Sequence, residues 1–99
     1  MPNALVSIQV IPNTPGGSDP IPYIDLAIGM ISDSGLVYRV GPLETTMEGP
    51  LSQCLNVVQQ INETLIEKGC PNIISQVKVY CPAPSGSLFQ LTKKYDPHA

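Results

Sequence analysis

The sequence contains few of the residues from which catalytic and metal sites are usually built. Its 99 residues include one histidine, His98, and three cysteines that lack the C-x-x-C spacing of a zinc site. A Ser/His/Asp triad or a Cys/His pair would need a histidine base, and the only one lies in the tail. These absences exclude the common nucleophilic hydrolases. They also argue against a metal cage and against a disulfide framework.

Charged residues are also scarce. Five Lys and Arg stand against eight Asp and Glu, the net charge is -3, and charged residues make up 13% of the chain. Nucleic-acid binding needs clustered cations, which this sequence does not supply. No apolar run approaches the ~18–20 residues that span a bilayer, and Met1-Pro2-Asn3-Ala4 does not resemble a secretory signal. We therefore predict a single domain over residues 1–99, cytoplasmic, with reduced cysteines and neither metal nor cofactor.

The chain does contain the periodicities of four strands and two amphipathic helices. Strands are predicted at 5–11, 36–40, 43–48 and 73–80 from alternating apolar residues. One helix begins near Asp19 or Ile21 and stops at Gly35, and the other runs from Gly49-Pro50 to Gly69. The apolar stripe of the second helix is predicted to comprise Leu51, Cys54, Leu55, Val58, Ile61, Asn62, Leu65 and Ile66.

This element order predicts an α+β, ferredoxin-like βαββαβ sandwich with strand order 4-1-3-2. Right-handed crossovers place both helices on one face of the antiparallel sheet. A short C-terminal helix is predicted after Ser85, where Leu88, Phe89 and Leu91 are apolar.

One face of this sheet is predicted to be left uncovered by the helices. It should carry Ser7, Gln9, Gln76, Lys78 and Tyr80, together with Leu5 and Ile11. A mixed face with few charges, and a small surface with few charged groups, both favour self-association. A second copy can pack on the bare face or pair with an edge strand, so we expect a homodimer or homotetramer.

The segment 40–49, Val-Gly-Pro-Leu-Glu-Thr-Thr-Met-Glu-Gly, is the most informative stretch. Alternation along a strand places Thr46 and Glu48 on the bare face and Thr45 on the helix side, whereas a bulge after Gly41-Pro42 would reverse them. Threonines are also ordinary strand formers, and a glutamate before a helix can act on the helix dipole. The functional alternative is that these groups bind a small polar ligand.

Three further residues belong to the candidate site. Tyr38 offers a ring on which a flat ligand can stack, although tyrosines on edge strands also fill subunit interfaces. Ser7 and Gln9 lie on a central strand, where they can bond a ligand or a facing subunit. The residues alone do not separate these two alternatives.

Three segments together resemble the small thiamine-binding proteins of the YkoF-like group. They are residues 6–12 (Val-Ser-Ile-Gln-Val-Ile-Pro), residues 38–42 (Tyr-Arg-Val-Gly-Pro) and residues 45–49 (Thr-Thr-Met-Glu-Gly). The Gly-Pro-x-x-Thr-Thr-x-Glu-Gly segment before a helix is the most specific part. The resemblance extends from the first strand to Lys93-Lys94-Tyr95. It implies a ferredoxin-like fold, dimers or tetramers, and non-enzymatic binding of thiamine or its hydroxymethylpyrimidine half.

The resemblance implies a ligand site made by Thr45, Thr46, Glu48, Ser7, Gln9 and Tyr38. Glu48 would bond the edge of the pyrimidine, and Tyr38 would stack or hydrogen-bond. Other members of the wider group carry arginines before and after the last strand. This chain instead has Gly69-Cys70-Pro71-Asn72 and Cys81-Pro82-Ala83-Pro84 at those places. With so few cations, we predict the unphosphorylated ligand or its pyrimidine fragment.

Two other functions stay open at this point. The chain can be a regulatory or structural module that acts through subunit contacts without a small ligand. It can also be a small enzyme, but that needs a titrating base in the site, and the only histidine is not available there.

Overall fold

The computed structural model describes residues 3–82 and Tyr95, and it has the predicted element order. The elements are β1 (Asn3–Asn13), a 3-10 turn (Pro15–Gly17), α1 (Ile21–Asp33), β2 (Val37–Val40), β3 (Thr45–Pro50), α2 (Leu51–Glu67) and β4 (Asn72–Tyr80). The strands form one antiparallel sheet in the order β2-β3-β1-β4. The ferredoxin-like prediction is thus confirmed, with β1 and β3 in the centre. The predicted C-terminal helix lies outside the described residues.

Both helices pack on the same face of the sheet, where the core lies. Val6 and Met47 oppose each other on β1 and β3, and neither side chain is accessible to solvent. The helices close this layer with buried side chains from α1 (Ala27, Ile31) and α2 (Cys54, Val57, Ile61, Leu65). A chain of this size has only one such core, so this face supplies most of the hydrophobic stabilisation.

The buried stripe of α2 is narrower than predicted. Leu55 and Ile66 were predicted to be in it, yet 42% and 51% of their surface is exposed, while Val57 is buried. The reason is that α2 meets the sheet along an i, i+3, i+7, i+11 line from Cys54 to Leu65. Leu55 and Ile66 lie beside that line.

Asn62, the polar member of the predicted stripe, joins α2 to the sheet. Its Nδ2 donates to the carbonyl oxygen of Val58 at 2.9 Å, and its Oδ1 accepts from the Ser75 hydroxyl at 2.7 Å. Ser75 lies on β4. A partly buried amide at this position therefore has partners on both sides and fixes the helix against an edge strand.

Two predicted boundaries differ from the structure. β1 continues through Pro12 and Asn13, because these residues still pair with Ile73 and Asn72 of β4. β3 begins at Thr45, two residues after the predicted start. The residues before it form a closed turn in which the Gly41 N–H donates to the Glu44 carbonyl at 2.9 Å.

The described helices do not include one that is long and apolar enough to cross a membrane.

Candidate functional site

Strand pairing assigns each predicted site residue to one face of the sheet. Directly opposed residues share a face. Ser7 opposes Thr46, and Leu5 opposes Glu48. Gln9 follows Ser7 by two positions, so it lies on the same side. Four of the six predicted residues therefore lie together on the face that faces away from the helices, called the open face below.

The other two predicted residues lie on the opposite, helix-covered face. Thr45 opposes Ile8, and Tyr38 opposes Met47. The alternation predicted for Thr45 and Thr46 is the one observed, without the bulge that would have reversed it. A single pocket within one chain thus cannot be lined by the side chains of all six residues.

A cavity on the helix-covered face, called the helix-side cavity, lies between α1, β1 and the turn before β3. Its volume is about 210 Å³. Thr45, which is buried, provides a hydroxyl in its wall, and Glu44 is the single charged residue among its described lining residues. Gln9 also lines the cavity, so two of the six predicted site residues, Thr45 and Gln9, border it. The apolar part of the wall comprises Ile8, Val10, Ile24, Ala27, Ile28, Ile31, Pro42 and Leu43. An apolar wall with one convergent hydroxyl suits a small, flat, neutral group.

The open face carries a row of polar side chains that crosses all four strands. The pairing aligns Arg39, Thr46, Ser7 and Lys78 in this order. A hollow of about 410 Å³ lies over part of this row and extends to Leu5, Glu44, Val79 and Tyr80. Polar side chains are ordinary on the uncovered face of an antiparallel sheet, so the row by itself does not distinguish a ligand site from a solvated face.

The Ser7 hydroxyl lies at the centre of this row and is unsatisfied. The residue is only 8% exposed, and its Oγ has no hydrogen-bond partner within the described part of the chain. A buried polar atom without a partner costs about 1–3 kcal/mol relative to a satisfied one. The hydroxyl is thus available to a hydrogen-bonding group outside the described residues, water included.

Charges of both signs balance on the open face. Glu44 and Lys78 approach to 3.9 Å, and both side chains are more than a third exposed, so the contact is weak. Glu48 is only 9% exposed. With Arg39, the described residues of this face include two carboxylates and two cations, and this balance favours a neutral or self-complementary partner.

Glu44 is the site residue that the sequence analysis did not select. It stands in the walls of the helix-side cavity and of the open-face hollow. In the sequence it reads as one more polar residue of a strand. The signal that could have found it is its position two residues after Gly41-Pro42, a typical turn.

The described residues, 3–82 and Tyr95, contain no group of three His, Cys, Asp or Glu side chains that could hold a metal ion. The three cysteines are free: Cys54 and Cys70 are buried, and Cys81 is exposed. Burial raises the pKa of the Cys54 thiol, because desolvation disfavours the thiolate. A neutral buried thiol is a poor nucleophile.

Comparison with known proteins gives a family match over most of the chain. A family described as thiamine-binding protein matches residues 6–82. This range includes β1 from its fourth residue, both helices, and the whole of β2, β3 and β4. Both the helix-side cavity and the polar row of the open face therefore lie inside the matched segment.

Individual relatives agree with this match. The chain is 38% identical over 74 residues to a UPF0045 protein of Clostridium perfringens, covering 75% of this chain and 77% of that protein. A candidate thiamine biosynthesis or salvage protein of Thermotoga maritima superposes with a TM-score of 0.84 at 30% identity, covering 96% of this chain and all of that one. A domain of unknown function from Bacillus cereus superposes with a TM-score of 0.87 at 28% identity, covering 98% and 93%.

Proposed function

Because this chain belongs to the thiamine-binding protein family, we propose that it binds thiamine or the hydroxymethylpyrimidine half of thiamine without transforming it. It would act as an oligomeric cytoplasmic carrier or buffer in thiamine metabolism or transport. The observation that carries the proposal is that the matched segment encloses a small apolar cavity with a buried hydroxyl in its wall.

The size of the helix-side cavity decides which part of the ligand it takes. Its volume of about 210 Å³ lies below the ~300 Å³ at which pockets begin to enclose drug-sized ligands. This size supports the entry of one ring. The thiazolium ring is cationic, and the charged residue of the lining that can pair with it is Glu44, in the turn that borders the cavity. The neutral aminopyrimidine therefore enters the cavity, and the thiazolium stays at its mouth.

Thr45 is the proposed hydrogen-bonding partner inside the cavity. A hydroxyl both donates and accepts, so it can pair with a ring nitrogen or with the exocyclic amino group. The surrounding isoleucines exclude water, and they match the flat faces and the methyl group of the pyrimidine. Such a bond contributes about 0.5–1.5 kcal/mol.

Phosphorylated thiamine is not the proposed ligand. Among the described residues that line the helix-side cavity, neither lysine nor arginine is present. Lys78 lies on the other face of the sheet and contacts Glu44. A diphosphate would thus lack the cations that such groups require.

The second part of the proposal concerns the predicted site residues that lie on the open face. Ser7, Gln9, Thr46 and Glu48 share that face, and a second copy of the chain is its proposed occupant. Two carboxylates and two cations on one face can pair with themselves across a two-fold axis. A Ser7 hydroxyl near such an axis can donate to, or accept from, its own counterpart.

A thermal-shift titration with thiamine, hydroxymethylpyrimidine and thiamine diphosphate, followed by calorimetry, tests the binding proposal. A ligand that binds only the folded state stabilises it by ~2.7 kcal/mol at one hundred times its dissociation constant, which corresponds to several degrees. We expect this shift with the first two ligands and little with the third. The absence of a shift with all three would overturn the proposal.

Adjacent threonines supply a matched pair of variants that locates the site. Thr45→Val removes a hydroxyl from the helix-side cavity, and Thr46→Val removes one from the open face. We expect the first to weaken binding about 2–12-fold, the equivalent of one neutral hydrogen bond, and the second to leave affinity unchanged. The reverse result, or a strong loss in Glu48→Gln, would move the ligand to the open face.

The alternative function, an oligomerising module without a small ligand, is supported by the unsatisfied Ser7 hydroxyl, which favours a partner on the open face. It predicts self-association that is unaffected by Thr45→Val, in a protein that shows no ligand-induced shift.

A further inference from the structure

The turn between β2 and β3 forms part of both candidate sites. Its residues Gly41, Pro42, Leu43 and Glu44 line the helix-side cavity. The same four residues line a second hollow with Arg39 and Thr46, which belong to the polar row of the open face. One short segment is thus a wall of the cavity on one side and a border of the open face on the other.

We propose that binding in the helix-side cavity and pairing of two open faces are linked, so that the ligand tightens self-association. The inference rests on the proposed function, because it assumes both a ligand in the cavity and a second copy on the open face. Ligand binding and self-association would both restrict the conformation of one segment, the turn Gly41–Glu44.

One hydrogen bond ties the two ends of this turn together, so that its residues shift as a unit. The Gly41 N–H donates to the Glu44 carbonyl and closes the turn. A Cβ on Gly41 would lie 2.7 Å from that carbonyl oxygen, so the closure depends on glycine. A displacement of Leu43 toward the cavity therefore also displaces Glu44 and the start of β3.

The Glu44–Lys78 contact connects this turn to the far edge of the sheet. Lys78 is on β4, and Glu44 lies before β3, so the contact passes over β1, the strand between them. It is long, and both side chains are more than a third exposed, so this contact contributes little to holding the turn. A ligand against the turn would restrict it further.

The sign of the linkage follows from conformational entropy. Ordering the turn at a subunit interface costs free energy. A ligand that has already ordered the turn bears part of that cost, so association becomes more favourable in its presence. By reciprocity, the associated protein binds the ligand more tightly by the same factor.

The test measures self-association of the full chain by sedimentation velocity, with and without thiamine at ten times its calorimetric dissociation constant. We expect saturating thiamine to tighten association at least 5-fold, the lower end of typical coupling between sites. If the assembly is too tight to dissociate, exchange of subunits between unlabelled and ¹⁵N-labelled protein gives the same information. Thiamine should then slow the exchange by a similar factor.

The outcomes separate this inference from the proposed function. Binding in calorimetry with a change in association below 2-fold overturns the linkage and leaves thiamine binding in place. Weaker association in the presence of ligand overturns it as well. No binding in calorimetry overturns both.

Matched lysine variants test the proposed path. Lys78→Gln removes the partner of Glu44, and we expect the ligand-induced change in association to fall at least 2-fold. Lys68→Gln removes the same charge at the C-terminal end of α2, away from both sites, and should retain the full effect. Equal coupling in the two variants would overturn the role of the Glu44–Lys78 contact.

Discussion

The two faces of this sheet come from the same strands but differ in how they are completed. On the helix-covered face, β1 presents Val6 and Ile8 to helices that the chain itself supplies. On the open face, the same strand presents Ser7, which is as sheltered as a core residue yet lacks a partner among the described residues. One face is complete within the described chain, whereas the other has at its centre a hydroxyl that the described residues leave without a partner.

The largest expected effect contrasts two isoleucines of β1 on opposite faces. Ile8 is 3% exposed under the helices, and Ile11 is 43% exposed on the open face. We expect Ile8→Ala to lower the free energy of unfolding by about 2–5 kcal/mol. Ile11→Ala should cost less than about 1 kcal/mol in urea denaturation at low protein concentration. Equal losses would contradict the contrast between the faces.

The pH dependence of the free energy of unfolding tests the thiol of Cys54, which is buried in the core between the helices and the sheet. Because burial raises the pKa of Cys54, the unfolded thiol, with a pKa of about 8.5, ionises before the folded one. The contribution of Cys54 is therefore fully present below pH ~8.5 and is lost as pH rises, at no more than about 1.4 kcal/mol per pH unit. Urea denaturation at pH 7 and pH 10 measures this loss.

Two cysteine variants control that measurement. Cys54→Ala should flatten the alkaline slope, although it lowers stability at every pH. Cys81→Ala, at an exposed thiol, should leave the slope unchanged. An unchanged slope in Cys54→Ala would show that another group is responsible.

Ser7→Ala tests the open face, because it should have opposite effects on the stability of the dissociated chain and on the strength of self-association. In the dissociated chain it removes an unsatisfied hydroxyl, so the free energy of unfolding should stay equal or rise by up to about 1 kcal/mol. In the assembly it removes a proposed subunit contact, and the dissociation constant should increase about 2–12-fold. Denaturation at low concentration and sedimentation at high concentration measure the two effects. Destabilisation of the dissociated chain would mean that Ser7 is already satisfied within it.

The smallest expected effect on stability concerns the exposed ion pair. Glu44→Gln should change the free energy of unfolding by less than about 1 kcal/mol, because exposed pairs rarely contribute more. The same measurement in 1 M NaCl should abolish even that difference, since salt screens exposed charges. A larger loss that resists salt would place Glu44 in a buried role.

The sequence was sufficient to predict the architecture because periodicity encodes it directly. The alternation of β1 and the helical spacing of α2 fix which residues face inward, and the element order then leaves one topology. The start of β3 was wrong because Leu43 and Glu44 continue the alternation, while the hydrogen bond that closes the turn depends on three-dimensional approach. Leu55 was wrongly predicted as core because helical spacing alone does not give the width of the contact line.

The candidate site was only partly predictable. The side of the sheet on which Thr45 and Thr46 lie follows from alternation once the absence of a bulge is known. The helix-side cavity could not be predicted, because Ile24 and Ile28 look like ordinary core residues in the sequence. A cavity is a property of packing, and only the relative position of α1 and the turn creates it.

Thr45 and Thr46 lie on opposite faces of the sheet, and this has a consequence for insertions in and near β3. Met47 directly follows Thr46 and is fully buried in the core, so it fixes the register of β3 against β1. A residue inserted between Gly41 and Thr45 would therefore lengthen the turn and leave both hydroxyls on their present faces. A residue inserted between Thr46 and Met47 would instead exchange the faces that the two hydroxyls occupy, because Met47 holds the rest of the strand in place.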